Sequence, residues 1–497
     1  MAKKKSDYTI DDISVLSDQE HVRLRTQIYL GNMHKTSYDV PIFLNNKFKV
    51  KSVSFIPSVY KAIGEILDNS IDEFAQTNTK KALLKITADP KAGHYTVSDN
   101  GRGIPFDMHE SGKYGPEVVF GSLRSGRNFS NDREEGVIGM NGVGSSCVNF
   151  CSTEFAVKIQ RDNKIYKQQF KMGGSITSTP KVVKSSAGNT GTEVSFKLDT
   201  EVFKNVSIDK ELMHNRALEI AFNNPSVTVE YNSEKYRFRK GLEDIVKKIS
   251  KEYFVFEEGG IRFFVIFDNS KSVDERMFTW VNSSLLFDGG LCNTQFLNAF
   301  YDKTINHLKS AAKKLKCDVT KNDIKQNLLV LGTMKISNPE YDAQSKTRLT
   351  GPNLRKEMSD IVSNSWSVFA RKNKQWLEEV LERAEERHHH QANKKATKDM
   401  KNKLSKKVPG LVDAVGDNRS ACQVLITGGL SAASMITDVR DPETTGSFPL
   451  SGKLNNVYGT TVAQLMSMGK ITNLLAACGL IPGQKAMRND LRFGKIV

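Results

Sequence analysis

Glu65, Asp68, Asn69 and Asp72 recur at i, i+3, i+4 and i+7 within the run from Pro57 to Phe74. On a helix this spacing gathers them on one arc, opposite an apolar arc of Val59, Ile63, Ile66, Leu67, Ile71 and Phe74. Carboxylates with an amide among them suit a hydrated Mg2+ ion and an activated water. A plain solvated face has the same look, so the surroundings decide. Asp99-Asn-Gly-Arg-Gly-Ile-Pro105 follows the strand-like Tyr95-Thr-Val-Ser98, and taken alone reads as a hairpin turn. Gly136-Val-Ile-Gly-Met-Asn-Gly-Val-Gly144 precedes a helix-like run, Ser145 to Phe150. Its glycines let backbone N–H groups approach phosphate oxygens, with a helix N-terminus adding favourable potential, although lids and tight turns share the composition. Gly191-Thr-Glu-Val-Ser-Phe196 carries a threonine into a strand.

The elements that must hold these groups alternate between two periods. A helix starts at Pro57, and strands are expected near Leu83 to Ala88, Tyr95 to Ser98, Glu154 to Gln160, Lys164 to Phe170 and Glu193 to Leu198. That pattern predicts an α/β layer on a largely antiparallel sheet. A second unit, from about Thr200 to Glu385, has strands at Arg262 to Asp268, Met277 to Asn282 and Leu328 to Lys335. It ends in a helical stretch, Leu354 to Glu385, that neither Gly nor Pro interrupts. Arg387 to Lys407 holds three histidines and seven lysines and reads as a solvated linker or helix tip, either facing DNA or simply exposed. His388, His389 and His390 are adjacent and cannot share one helical face as a metal site needs.

At 497 residues the chain exceeds one ordinary core and should divide into about three domains. Lysine and arginine number 72 against 56 acids, a net charge of +16, which favours a polyanionic partner with nucleic acid first. The six cysteines form no C-x-x-C pair and have no His partner at zinc spacing, which fits a reducing compartment. There is no apolar run of about 18 residues and no secretory h-region after Met1, so no membrane is expected and the location is cytoplasmic.

In order and spacing the motifs resemble the GHKL ATPase superfamily: E-x-x-x-N on a helix, D-x-G-x-G, a G-x-x-G-x-G lid, then G-T, over about 130 residues. The resemblance implies ATP and Mg2+ as cofactors. It makes Glu65 the general base for the attacking water and Asn69 the magnesium ligand. Asp99 would accept the adenine amino group's hydrogen bond, with Thr192 supporting it through a bridging water and Gly103 and Ile104 forming the base pocket. Gly139, Met140, Asn141, Gly142, Val143, Gly144, Ser145 and Ser146 would surround the phosphates, and Gly126, Arg127 and Asn128 would add lid contacts.

Within that superfamily the second unit points to type IIA topoisomerases. Gln344-Ser345-Lys346, after Asn338-Pro-Glu-Tyr341, looks like the family's Q-T-K switch loop with serine for threonine. A lysine there can neutralise the γ-phosphate and report its presence, and Gln344 and Ser345 would sit beside it. Val281-Asn-Ser-Ser-Leu-Leu-Phe-Asp-Gly-Gly290 resembles the family's N-[ST]-x-x-T-x-D/E-G-G segment, with Leu286 for the usual threonine. The Leu16 to Gly31 run, containing Glu20-His-Val-Arg23, looks like the family's N-terminal arm, which crosses to a partner subunit.

Leu425-Ile-Thr-Gly-Gly-Leu-Ser-Ala432 and Phe448-Pro-Leu-Ser-Gly-Lys-Leu-Asn-Asn-Val457 resemble the opening of a Toprim domain. The family's catalytic glutamate, aspartate and arginine fall on Gly428, Leu430 and Ser451, none of which can do that work. A split Toprim resembles the large subunit of T-even bacteriophage topoisomerases, which implies a bacterial host cytoplasm. The rest of Toprim and the cleavage tyrosine would then lie on separate subunits; truncation of a longer chain reads equally well.

The expected architecture is therefore an N-terminal arm or strap over 1–50 and a Bergerat (GHKL) α/β sandwich over 51–205. A transducer domain of ribosomal-S5-like βαβ type follows over 206–385, then a basic linker over 386–411 and a partial Toprim domain over 412–497. The expected function is an ATP-operated clamp that homodimerises through its N-terminal domains and drives passage of double-stranded DNA. A mismatch-repair-type GHKL ATPase and a nucleotide-binding DNA scaffold without turnover are the alternatives.

Overall fold

The computed structural model describes residues 10–45, 47–77, 79–126, 142–267, 275–404 and 407–497. The chain divides into two compact units, 1–304 with 324–374, and 305–323 with 375–497.

The first unit is built on a nine-stranded sheet. Its order is Glu234–Tyr236, Thr228–Tyr231, Leu83–Asp89, His94–Asp99, Gly191–Leu198, Ser152–Arg161, Lys164–Lys171 and Ile176–Thr177, with Lys181–Lys184 also pairing Lys164–Lys171. Every pairing is antiparallel except Thr228–Tyr231 beside Leu83–Asp89. Side chains two apart on the central strands, such as Leu84 and Ile86 or Tyr95 and Val97, are buried. Against them lies the helix Pro57–Thr77, whose expected apolar arc from Val59 to Phe74 is buried throughout. The expected strands and the α/β layer are present, one or two residues longer at some ends.

The same unit holds a five-stranded sheet, Phe254–Glu258, Ile261–Phe267, Leu328–Met334, Arg276–Val281 and Ser284–Leu285. Arg276–Val281 and Leu328–Met334 run parallel, and the helix Leu291–Lys314 intervenes between them in the chain, which gives the expected βαβ connection. Asn282 and Ser283 turn the hairpin into Ser284–Leu285 at φ of 46° and 68°, the left-handed pair of a two-residue turn.

Ahead of the sheets, Ser17 closes a capping box on the helix Asp18–Leu24, and Thr26–Leu30 follows. Both helices are docked. Val22 and Leu30 are fully buried, and Arg23 reaches Asp199 at 2.7 Å and the Phe150 carbonyl at 2.9 Å.

One expectation fails in detail. The helix predicted as continuous from Leu354 to Glu385 is two helices, Arg355–Lys372 and Lys374–Leu404. Asn373 leaves helical geometry between them while its amide and its side chain both bond the Phe369 carbonyl, a local competition that asparagine allows without Gly or Pro. Helix therefore runs on through most of the basic stretch.

In the second unit, Thr445–Pro449, Gln423–Thr427 and Lys495–Ile496 form a parallel three-stranded sheet. Val424, Phe448 and Phe493 pack with Met400, Leu411, Ala476 and Ala477 in its core.

Candidate functional site

A cavity of about 1270 Å3 opens beside the helix Pro57–Thr77, and it is lined by the strand ends, the start of the helix Gly144–Phe150 and the 339–346 loop. At one end stands Glu65, 9% exposed, in an ion pair with Lys61 one turn earlier. Gly144 abuts the carboxylate so closely that a Cβ there would lie 1.7 Å from Glu65 Oε2. A glycine is thus required at the contact between the two helices. Burial works to raise the Glu65 pKa, but the ammonium groups of Lys61 and Lys346 outweigh it and hold the carboxyl below its ordinary value. Glu65 is therefore an anion at neutral pH, ready to accept a proton.

Lys346 adopts φ of 57° and sits on the same wall of the cavity. Burial, reinforced by the neighbouring Lys61, pulls its amine down to about 8 against the pull of Glu65, Asp68 and Asp72. Lys61 goes the other way: burial alone would lower it, but Glu65 and Asp68 keep it above its usual value. A concentrated positive charge with one lysine near its titration point is suited to a multiply charged anion such as a terminal phosphate.

Asn69 donates to Ser145 Oγ at 2.7 Å and lines the cavity between Glu65 and the glycine segment. Its amide oxygen is the kind of donor Mg2+ accepts, one protein oxygen with phosphate and water oxygens completing the shell. Among the described residues there is no group of three His, Cys, Asp or Glu that could cage a metal.

Asp99 marks the opposite end. Its carboxylate accepts from Gly101 N at 2.9 Å, Ser70 Oγ at 3.0 Å and Thr192 N at 3.4 Å. Burial raises its pKa and those bonds only partly offset it. Two glycines make the pocket possible. Gly103, at φ of 78°, would bring a Cβ to 2.7 Å from the Gln160 carbonyl, and Gly191 would bring one to 2.0 Å from the Asp99 carbonyl. Glu73 and Arg102 pair through bonds of 2.8 and 3.0 Å at the same end.

Glu65, Asn69, Asp99, Gly103, Ile104, Gly126, Gly142, Val143, Gly144, Ser145, Thr192, Gln344 and Lys346 all line this one cavity. Ser146 does not: it is buried, and its hydroxyl bonds the Val143 carbonyl inside the helix start. Ser345 faces a second, small cavity of about 40 Å3 and packs on Gly31. Arg127, Asn128, Gly139, Met140 and Asn141 lie outside the described residues. Asp68 departs from the arc on which its spacing places it. It is 4% exposed and turns to Arg216 at 3.2 Å, because a buried guanidinium gives the carboxylate a stronger partner than the cavity does. Sequence reasoning passed over Lys61, Ser70, Glu73, Arg102 and Arg216. Lys61 alone carried a local signal, an i,i+4 spacing to Glu65.

Two family models match: "Histidine kinase-, DNA gyrase B-, and HSP90-like ATPase" over residues 56–202 and "DNA gyrase B" over 228–400. The type 2 topoisomerase B-subunit of Aquifex aeolicus is 29% identical over 100% of this chain and 63% of its own length. The DNA gyrase B-subunit of Thermotoga maritima is 26% identical over 99% of this chain and 78% of its own. For DNA topoisomerase 2 top-2 of Caenorhabditis elegans the figures are 28%, 98% and 34%. The chain thus spans about a third to three-quarters of those relatives. In fold it is similar to the ATPase region of Saccharomyces cerevisiae topoisomerase II, with a TM-score of 0.59 at 22% identity over 72% of this chain and 99% of that one. The 43K ATPase domain of Thermus thermophilus gyrase B gives 0.53 at 23% identity over 76% and 97%. The chain is thus similar to GHKL-type ATPases over residues 56–202 and to DNA gyrase B over 228–400, aligns along its whole length with type II topoisomerase B-subunits, and has a GHKL ATPase fold followed by a transducer domain.

Proposed function

We propose that this chain is the ATP-binding and ATP-hydrolysing subunit of a type IIA DNA topoisomerase, a dimeric clamp that closes on ATP and drives passage of double-stranded DNA. The observation that carries this reading is the cavity's polarity. An ionised, buried carboxylate and Lys346 stand at one end, and a hydrogen-bond acceptor fit for an adenine amino group stands at the other. Glu65 takes a proton from the attacking water as it adds to the γ-phosphorus, and the leaving ADP oxygen accepts the negative charge. Lys346 and the amides of Gly142, Val143 and Gly144 hold the phosphates while charge spreads over the equatorial oxygens. Asn69 would hold Mg2+ through its amide oxygen, and the ion would neutralise phosphate charge.

The domain reading follows the same proposal. Residues 1–50 act as arm, 51–205 as ATPase, 206–385 as transducer, 386–411 as basic linker and 412–497 as partial Toprim. Exposed Ile10, Ile13, Val15 and Leu16, ahead of the docked segment, support an arm that completes a second copy. The T-even type, with separate subunits supplying the remaining Toprim and the cleavage tyrosine, is favoured by Gly428, Leu430 and Ser451 in place of that domain's chemical residues. The +16 charge and the lysine-rich end of the helix Lys374–Leu404 suit DNA.

Replacing Glu65 with Ala is expected to cost roughly 10² to 10⁴ in turnover while leaving ATP binding intact. Steady-state hydrolysis beside equilibrium binding of a non-hydrolysable analogue reads both, and wild-type turnover would overturn the assignment.

A further inference from the structure

Behind the nucleotide cavity, on the far side of the Glu65 helix, a second set of charges is sealed from solvent. Arg216, on the helix Lys210–Asn223, is 4% exposed. Its guanidinium donates to Asp68 Oδ1 at 3.2 Å and to the Ser283 carbonyl at 2.5 Å, and Nη1 lies 3.7 Å from Glu219 Oε2. Asp68 is one turn beyond Glu65, and its other oxygen lies 4.0 Å from Lys61 Nζ, the ammonium that pairs with Glu65. Two residues, Asp68 and Lys61, therefore connect this one guanidinium to the carboxylate at the phosphate end of the cavity.

The Ser283 contact leads elsewhere. Ser283 belongs to the tight turn Asn282–Ser283, and its hydroxyl accepts from Asn224 Nδ2 at 2.9 Å. The Asn282 side chain bonds both the carbonyl and the amide of Ile336, at 2.9 and 3.0 Å. Ile336 stands at the base of the loop that ends at Lys346. The small cavity lined by Lys61, Asp68, Arg216, Ser345 and Lys346 lies between these two routes.

Burying this guanidinium and its carboxylates carries a desolvation penalty that apolar side chains of similar size would avoid, so stability alone is a poor account of the network. Its geometry gives another. We infer that Arg216 is a positioning residue for ATP hydrolysis. Through Asp68 and Lys61 it sets the carboxylate of Glu65, and through Ser283 it anchors the turn that fixes the base of the Lys346 loop. The hydrolytic carboxylate and the phosphate-holding lysine then share one buried anchor. The inference rests on the proposed role of Glu65.

The test compares D68N, R216K and the double variant with the wild-type chain and with E65A, reading kcat, KM, analogue affinity and the thermal unfolding midpoint. Turnover is normalised to nucleotide-binding sites, so misfolded protein does not count. D68N and R216K are each expected to lower kcat roughly 10- to 100-fold with affinity held within about twofold, as for an interaction expressed in the transition state. The double variant should be no slower than the worse single one, because the Asp68 contact that D68N removes is one that R216K already disrupts. A site-normalised kcat unchanged in D68N overturns the inference, and so does a kcat preserved with raised KM, or losses that multiply. If R216K does not fold, the isosteric D68N decides alone. Wild-type turnover in E65A sinks the hydrolysis reading itself; a slow E65A beside a fast D68N sinks only the anchor.

Discussion

The glycines beside the nucleotide cavity and Gly428 in the Thr427–Leu430 turn make an instructive contrast. Around the cavity Gly144 and Gly191 are hemmed in by the groups they serve. A Cβ on Gly144 would strike Glu65 at 1.7 Å, and one on Gly191 would strike the Asp99 carbonyl at 2.0 Å. At Gly428 a Cβ would meet nothing within 4 Å, and Leu430 beside it is 70% exposed. The first kind of glycine is dictated by a neighbouring functional group, the second by nothing within the unit that carries it. The strand-turn-helix frame after Gln423 stands on Val424, Phe448 and Phe493, and a side chain at Gly428 would touch none of it. Chemistry constrains sequence in the first region; packing alone does so in the second.

The sharpest way to break that contrast is at Gly144. G144A forces either Glu65 or the helix Gly144–Phe150 to move, and the proposed base and phosphate amides separate. Hydrolysis should fall by about 10² to 10³, as for loss of a preorganised electrostatic group. Single-turnover hydrolysis measures it, and a wild-type rate would mean that the close approach is incidental. Lys346 comes next. K346M should cost roughly 10² to 10³ in kcat/KM if the ammonium stabilises phosphate charge. Before nucleotide binds, the Lys346 amine titrates at about 8; a bound phosphate raises it, so ATP binding takes up a proton above that pH. Affinity should then weaken by up to about tenfold per pH unit above 8, more steeply for ATP than for ADP, and the slope should vanish in K346M. Binding titrations from neutral pH upward decide it.

How much of this was legible beforehand follows from distance along the chain. The helix Pro57–Thr77, its apolar arc and the strands around Asp99 and Thr192 are local patterns, and the periodicities alone foretell them. The placement of Asp68 is not, since its partner Arg216 lies 148 residues away and no spacing on the helix separates a carboxylate facing a cavity from one facing a buried cation. Glu65 and Asn69 were readable because ordered motifs surround them; Arg216 belongs to no such pattern, and Lys61 offers only its i,i+4 spacing to Glu65. The break at Asn373 was hidden for the opposite reason, a side chain competing for one carbonyl within a sequence otherwise fit for helix.

Glu219 gives a subtler probe of the sealed network. Burial pushes its carboxyl up to about 7 even though Arg216 and Asn215 favour the anion. The unfolded chain gives up that proton near the ordinary carboxylate range of about 4.3. Below that range both states are protonated and the group exerts no effect; between it and 7 the folded state alone holds the proton. Stability should therefore decline as pH rises through this window and level off above it. E219Q should flatten that slope, read from denaturant midpoints at several pH values. An unchanged slope would mean that Glu219 is ionised throughout.

The smallest effect belongs to the exposed turn. Gly428 has no positive φ and open space where a side chain would go, so alanine fits its backbone and reduces the freedom of the unfolded chain. G428A should stabilise by about 0.4 to 1 kcal/mol with ATP hydrolysis unaltered. The same replacement at Gly103 must hold φ at 78° with a Cβ 2.7 Å from the Gln160 carbonyl, and should destabilise by more than that gain. Thermal and denaturant unfolding of the two variants side by side tests the contrast where it is weakest. If G428A proves as damaging as G103A, the turn is constrained after all, and the contrast between the two regions fails.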